Sequence, residues 1–514
     1  MAEAQTSAVE RKVSGTDDLF ELSPAAIKKL ETDEIVIGLC APIGSPVHKV
    51  ADEIYRLLRE RYGYECAVIR LSRLIEGKAG AAPPNNGKYA RTKYLIDKGN
   101  ELRKKYGYSV LADLAISQMA SDREKHKKAQ GTPHYPTRRI CYVLDSIKNA
   151  DEMNILRRVY GEMFYFVGVF APIEVRVQTL KDEGMQPEEV YRLIDRDSGE
   201  ETAHGQSVRD TFPRADFFVR AGSGPENVLT NRLQRFLDLV LRAAVITPTV
   251  GETAMYQAAS AAGSSACLSR QVGAAITDRD GEILAIGWND VPRVGGGLYS
   301  SDAVHDSGTT RPDNRCYNWK GGKCFNDEEK SLLTREVVNT LIERGVIGGD
   351  QRQSATSAIE RSRISHLIEF SRAIHAEMHA LLSASQAGGQ RVRDGALYCT
   401  TYPCHSCARH LIAAGVKDVY YIEPYRKSLA TKLHDDSITE DEQATNKVRI
   451  LSFDGVSPTR YLELFSMSKR KDGGLLLRSD PRTVHPVTSG MLESIPALEG
   501  LVVESLRSRK LLET

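Results

Sequence analysis

Two short stretches, HAE at residues 375–377 and PCHSC at residues 403–407, decide how the second half of the chain folds. HAEMHALLSAS and CHSCARHLIAAG have the pattern of helices, and ALYCTTY, which lies between them, has that of a strand. Upstream, helix-like AMYQAASAAG precedes VGAAITD and GEILAIGWND, which flank the turn Arg279-Asp280-Gly281 and predict a hairpin. The order helix, hairpin, helix, strand, helix, strand predicts a layered α/β/α domain.

The same two stretches carry the residue types of a catalytic metal site. A catalytic zinc needs three nitrogen or sulfur ligands and an open fourth position for water, and His375, Cys404 and Cys407 supply the three. The cysteines lie one helical turn apart at the start of a helix, whose partial positive charge favours their thiolates. Glu377, two residues after His375, is close enough to take a proton from that water and return it to a leaving group.

Other interpretations exist for these residues. A CxxC pair alone is typical of a structural zinc half-site or of a redox pair. The HAE stretch upstream, Pro403 before the first cysteine and the placement of the motifs on helices favour the catalytic zinc. Because three ligands are already assigned, the other histidines nearby are interpreted as helix-surface or packing residues: His379, His405 and His410.

SACLSRQVGAAITDRDGEILAIGWNDVP, HAEMHALL and LYCTTYPCHSCARHLIAAGVKDVYY closely resemble the deoxycytidylate deaminase family. The resemblance implies that Asn289 contacts the sugar, that Ser269 and Arg270 face the nucleotide or its phosphates, and that Thr401 and Tyr402 line the base pocket. Asn289 could instead be a turn residue before Pro292. Trp288 stands where the family usually has Tyr.

A polar, Gly-rich insertion runs from about 294 to 364 and is expected to contain a helix near Leu332–Glu343. It holds His305, Cys316 and Cys324, and some members of the family have a second, structural zinc nearby. The spacing here is unusual for such a site, so ordinary thiols are the alternative.

The first half has a different pattern. Strand-like EIVIGLC, RICYVL and DFFVR alternate with helical stretches over residues 34–245 and predict a parallel α/β sheet. GLCAPIGSPVHKV resembles a phosphate-binding loop, but Gly38 to Gly44 holds one residue too many and Ser45 stands where that loop requires Lys. We therefore expect an anion or nucleotide to bind there without phosphoryl transfer. Asp145 ends a strand as a Walker-B-like acid would, or is a loop acid with no metal.

Length and charge limit the remaining choices. The 514 residues divide into a polar tail (1–33), a P-loop nucleotide-kinase-like domain (34–245), a zinc deaminase domain (246–440) and a C-terminal extension (441–514). The net charge of +1 argues against a protein that wraps nucleic acid. Nine irregularly spaced cysteines suit a reducing cytoplasm, and neither a signal peptide nor a membrane span is expected.

The combination of a degenerate P-loop domain and this deaminase resembles the bacterial antiphage dCTP deaminases. That resemblance implies zinc-dependent hydrolytic deamination of dCTP, and of dCMP, to the uracil nucleotides and ammonia. It also implies a homo-oligomer and restraint by a small regulatory RNA. Two basic stretches, 88–105 and 123–139, are either a solvated face or a patch that binds RNA or nucleotide phosphates.

Three other functions compete with this one. A polynucleotide-editing cytidine deaminase has the same zinc motif but usually needs a basic groove. A housekeeping dCMP deaminase for thymidylate supply would not need residues 34–245. A nucleotide or RNA sensor with vestigial chemistry would not need the intact HAE and PCHSC stretches.

Overall fold

The structure is a computed structural model that describes residues 31–78, 82–197, 208–222, 226–301, 312–386, 388–424, 428–467, 469–476, 479–492 and 494–512. It contains two six-stranded sheets with helices packed against them. One sheet is built mainly from each half of the chain, which confirms the expected α/β fold class with two domains. None of the described helices is long and apolar enough to cross a bilayer.

The first sheet is built from five parallel strands of the N-terminal half. They are β1 (Ile35–Cys40), β2 (Glu65–Arg70), β3 (Ile140–Asp145), β4 (Phe164–Phe170) and β5 (Phe217–Arg220). Their order is β2-β3-β1-β4-β5, so the chain leaves β1 toward one edge of the sheet and later returns to the other. Such a reversal creates a crevice at the carboxyl ends of the strands, where ligands bind in open α/β sheets.

Helices cover both faces of this sheet, because β1, β3 and β4 are apolar along almost their whole length. The helices are α1 (Val47–Glu60), α2 (Leu71–Lys78), α3 (Lys88–Tyr106), α4 (Val110–Gln130), α5 (Ala150–Tyr160), α6 (Ile173–Asp182), α7 (Pro187–Asp197), α8 (Val208–Thr211) and α9 (Glu226–Val240).

Helices α3 and α4 bury charged side chains in ion pairs, so their apolar and polar residues do not divide cleanly between a buried and an exposed face. Arg103 binds Glu152 at 2.7 Å, and both side chains are buried. Arg123 binds Glu34 and, at 3.0 Å, Glu499, again with all side chains buried. Arg103 and Arg123 are therefore neutralised inside the protein, whereas Lys104, Lys105 and Lys128 of the same basic stretches are exposed, as a solvated face would have them.

The second sheet has mixed strand directions. Its strands are β6 (Gly273–Thr277), β7 (Ile283–Trp288), β8 (Ala396–Thr401), β9 (Asp418–Glu423), β10 (Ile438–Thr439) and β11 (Val448–Ser452). The hairpin β6–β7 joins β8 in antiparallel fashion, and β8, β9, β11 and β10 then run parallel to one another. The helices are α10 (Val250–Ala262), α11 (Phe325–Glu343), α12 (Arg352–Glu360), α13 (Ala376–Gln386), α14 (His405–Ala414), α15 (Ala430–Leu433), α16 (Tyr461–Leu464) and α17 (Ser494–Ser508).

The boundary expected at residue 440 cuts through both sheets and is therefore wrong as a structural division. Beyond it, β11 is a strand of the second sheet, and β12 (Gly455–Val456) adds an antiparallel edge strand to the first sheet beside β5. Helix α17 packs on α4 through the Glu499–Arg123 ion pair. Two short ladders complete the fold: Glu31–Thr32 with Gly490–Met491, and Lys471–Asp472 with Leu475–Leu476.

Glu252 connects the two halves. This buried carboxylate caps the start of α10, accepts two hydrogen bonds from Arg235 of α9, and accepts the Val456 amide of β12 at 2.9 Å. A second contact between the halves is that of the Phe170 and Tyr421 rings, which meet edge to face at 6.5 Å. Polar and aromatic contacts thus join the two halves.

Candidate active site

The HAE stretch is held at the start of α13. Ile374 pairs with Asp290, beyond the end of β7, through an amide hydrogen bond of 2.9 Å. His375 follows and α13 begins at the next residue, which puts Glu377 in its first turn. One turn further, the Nδ1 atom of His379 accepts the Trp288 amide at 3.2 Å, so this histidine ties helix to strand.

The PCHSC stretch is shaped by a helix cap. Cys404 is the N-cap of α14, and its sulfur accepts the Cys407 amide at 3.4 Å. This arrangement turns both sulfurs toward α13. The Nδ1 atom of His375 lies 3.3 Å from Cys404 Sγ and 3.4 Å from Cys407 Sγ.

These three side chains fit a zinc ion. Their ligand atoms all lie within 4.8 Å of one another. In a tetrahedral site with ordinary zinc–sulfur and zinc–nitrogen bonds, nitrogen and sulfur would be about 3.6 Å apart, close to the separations found. Within the described parts of the chain, this is the one group of three His, Cys, Asp or Glu side chains with such spacing. His305, one residue of the alternative structural site, lies outside the described residues, and with described residues alone Cys316 and Cys324 form no such group.

Charge in the site already favours a thiolate. A hydrogen bond with the Cys407 thiol and another with His375 lower the pKa of Cys404 to about 4. The hydrogen bond with Cys404 raises the pKa of His375 to about 9. A metal ion bound by these side chains would replace their hydrogen bonds to one another, because metal binding displaces protons from the ligands.

Glu377 lies beside the ligands without belonging to the group. Its side chain is 4% exposed, and burial raises the pKa of its carboxyl to about 6. A carboxyl group in this state exchanges a proton readily near neutral pH.

A cavity of about 570 Å³ opens over these groups. Its wall contains His375, Glu377 and Cys404, together with all five residues expected to bind substrate: Ser269, Arg270, Asn289, Thr401 and Tyr402. The size and the mixture of polar and apolar wall are typical of a site for a small molecule.

Some of these side chains are engaged within the protein. The amide group of Asn289 donates to the Arg270 carbonyl and accepts the Val272 amide, both at 2.8 Å, and so fixes the segment that carries Ser269 and Arg270. The Tyr402 hydroxyl donates to Glu440 at 3.2 Å, which leaves its ring as the part that faces the cavity. The guanidinium of Arg270 is paired with Glu423.

Several wall residues carried no signal in the sequence. Asn326, Asp327 and Lys330 of α11 line the cavity, so the insertion forms part of the site. Arg209 of α8 reaches it from the N-terminal half. No local motif marks these positions, because they enter the cavity only through the packing of distant segments.

The P-loop-like residues lie at a separate cavity of about 500 Å³. Gly44, Ser45 and Asp145 line it at the carboxyl ends of the first sheet. Gly38 does not: it lies within β1, where a Cβ atom would come 2.5 Å from the Ile147 side chain. Its role is close packing rather than shaping of the loop.

Comparison with known proteins places the site in a family. Residues 248–423 match the family described as cytidine and deoxycytidylate deaminase zinc-binding region. The deoxycytidylate deaminase of Saccharomyces cerevisiae is 25% identical over 297 residues, which are 55% of this chain and 76% of the yeast protein. ComE operon protein 2 of Bacillus subtilis is 50% identical over 56 residues, which are 11% of this chain and 29% of that protein. The C-terminal half therefore contains a deaminase domain of this type, and its cofactor is zinc.

The N-terminal half is outside that match. The shikimate kinase of Acinetobacter baumannii, solved with shikimate, is 16% identical with a TM-score of 0.25, over 41% of this chain and 96% of the kinase. The description of this half rests on the order and direction of its own strands.

Proposed function

We propose that the chain catalyses hydrolytic deamination of deoxycytidine nucleotides, dCTP and dCMP, to deoxyuridine nucleotides and ammonia. The proposal rests on one arrangement of side chains. His375, Cys404 and Cys407 converge at a cavity, and the buried carboxyl group of Glu377 lies beside them. The deaminase family match of this region and the resemblance of GWNDVP and TTYPCHSC to deoxycytidylate deaminases support the choice of base.

The chain's own residues would divide the work as follows. His375, Cys404 and Cys407 hold zinc, which supplies Lewis-acid activation of water. Glu377 accepts a proton as the water oxygen bonds to C4 of cytosine, and passes it to N3. Glu377 then carries a second proton from the new C4 hydroxyl group to the amino group, the C4–N bond breaks as the C4 carbonyl forms, and ammonia leaves. Thr401 and the Tyr402 ring, in the cavity wall, would hold the base while this happens.

The substrate range tests the proposal. The purified full chain, loaded with zinc, is incubated with the four deoxynucleosides as mono-, di- and triphosphates and with single-stranded DNA, and products are separated by chromatography. We expect conversion of the free deoxycytidine nucleotides, and none of the other deoxynucleotides or of cytosine in the DNA. Conversion of cytosine in the DNA would favour a polynucleotide editor, and absence of any conversion would overturn the proposal.

We also propose that the cavity of the first sheet binds the phosphate of a nucleotide without transferring it. Ser45 Oγ, which can donate to a phosphate oxygen, and Asp145 Oδ1 are buried there, and neither has a hydrogen-bond partner among the residues that the structure describes. His48 at the start of α1 contacts the other Asp145 oxygen at 2.5 Å. Equilibrium binding of labelled nucleoside triphosphates should be weaker for Ser45→Val while deaminase turnover is unchanged. Equal affinity in the variant would contradict this.

The cellular role we propose is depletion of dCTP during phage infection, with restraint by a small RNA and assembly as a homo-oligomer. Its support is the resemblance of the two-part chain to antiphage deaminases. Cells that express the wild-type chain should resist phage better than cells that express Glu377→Gln. Equal resistance would remove this role while leaving the enzymatic proposal intact.

A further inference from the structure

The cavity over Glu377 is lined by three Lys or Arg side chains from three different parts of the chain. Arg270 follows α10, Lys330 belongs to the insertion, and Arg209 belongs to the N-terminal half. Two of them already have an acidic partner: Arg270 pairs with Glu423, and Lys330 pairs with Asp327 at 2.7 Å.

Arg209 differs from the other two. Its Nε atom is buried and has no hydrogen-bond partner, and no acidic side chain pairs with its guanidinium among the residues that the structure describes. A buried guanidinium donor without a partner is costly, because the lost hydration is not replaced. A bound anion would supply the charge partner that this guanidinium lacks among the described residues.

The backbone around Arg209 is firmly held. Val208, Thr211 and Phe212 are all buried, and the Phe212 ring packs on Phe218 with centroids 5.4 Å apart. Gly168 of β4 allows this close approach, since a Cβ atom there would lie 2.8 Å from the Phe212 ring. The packing of the N-terminal half thus holds the backbone of Arg209 in place in the wall of the cavity.

We propose that Arg209 binds the phosphate groups of the deoxycytidine nucleotide, so that the N-terminal half completes the substrate site of the deaminase half. The inference rests on the proposed function. Arginine suits this task because its planar fork donates two parallel hydrogen bonds to phosphate oxygens. Base recognition by the Thr401 region and phosphate recognition by Arg209 are then separate contributions from the two halves.

The test compares substrates that differ only in phosphate number: deoxycytidine, dCMP and dCTP. For the zinc-loaded full-length Arg209→Gln variant we expect KM for the nucleotides to rise about 10- to 100-fold, as loss of a charge-assisted hydrogen bond predicts. Turnover at saturation should change little, and reaction with deoxycytidine should not change. Inorganic tripolyphosphate should inhibit the wild type competitively and the variant at least tenfold more weakly.

Arg214→Gln is the matched control, because Arg214 is exposed on the same segment and does not line the cavity. It should behave as wild type. Zinc content and the unfolding midpoint establish that Arg209→Gln is folded, and Arg209→Lys, with intermediate KM values, replaces it if it is not. Unchanged nucleotide KM, or equal losses for deoxycytidine and dCTP, would overturn the inference. If the wild type converts none of these substrates, the proposed function itself fails.

Discussion

At Gly287, strand β7 passes very close to the helix that carries the catalytic carboxyl group. A Cβ atom at this position would lie 2.4 Å from the Ala380 nitrogen and 2.5 Å from the Ala376 oxygen. Both contacts are with backbone atoms of α13, so no side chain can rotate away to relieve them. We therefore expect Gly287→Ala to displace α13 from the sheet.

The size of the displacement follows from the contact distance. Ordinary contact begins near 3.4 Å, so α13 must move by about 1 Å. His375 immediately precedes this helix and Glu377 lies in its first turn, so both would move. A misplacement of about 1 Å costs roughly 100-fold in rate, and overpacking of a tight contact costs about 1–3 kcal/mol of stability.

The assay is steady-state ammonia release from dCTP and dCMP, with zinc content and thermal unfolding measured on the same preparation. Gly500→Ala is the control, because a Cβ atom at this position in α17 would meet nothing within 4 Å. It should keep full activity and gain up to about 1 kcal/mol of stability from better helix propensity. Activity of Gly287→Ala within about threefold of wild type, with normal stability, would refute the claim that this contact positions the site.

Two further substitutions test the metal site and the joint between the halves. Cys404→Ser should lose bound zinc and activity together, because a serine hydroxyl is a poor zinc ligand. Elemental analysis measures the zinc, and Cys66→Ser, which changes a half-buried thiol of the first sheet, should keep it. Glu252→Gln should lower the free energy of unfolding by about 2–3 kcal/mol, since the replacement leaves Arg235, a quarter exposed, without its anion. Chemical denaturation checks this against Glu504→Gln at an exposed position, which should be neutral, and equal stability of the two variants would contradict it.

Local sequence patterns predicted those strands, helices and site residues whose positions depend on residues close to them in sequence. Strand β1 lies within the predicted stretch EIVIGLC, and His375, Cys404 and Cys407 lie together as their spacing suggested. The position of Glu377 beside them was predictable for the same reason. His375 immediately precedes helix α13, and helix geometry fixes where a residue of the first turn lies relative to it.

The rest depends on contacts between segments far apart in sequence. Arg123 looked like a surface charge because its partners, Glu34 and Glu499, are 89 and 376 residues away. The boundary at residue 440 failed because β11 and β12 complete two different sheets. Arg209 could not be recognised, since only the packing of the two halves brings it to the cavity.

The role of Glu377 is the central claim, and one comparison tests it most directly. Wild type and Glu377→Gln are prepared with equal zinc content, and ammonia release from dCTP is measured under single-turnover conditions. Loss of the proton carrier predicts a rate lower by about 100- to 10,000-fold at unchanged dCTP affinity and unchanged unfolding midpoint. A zinc-loaded, folded Glu377→Gln variant that releases ammonia at the wild-type rate would contradict the account.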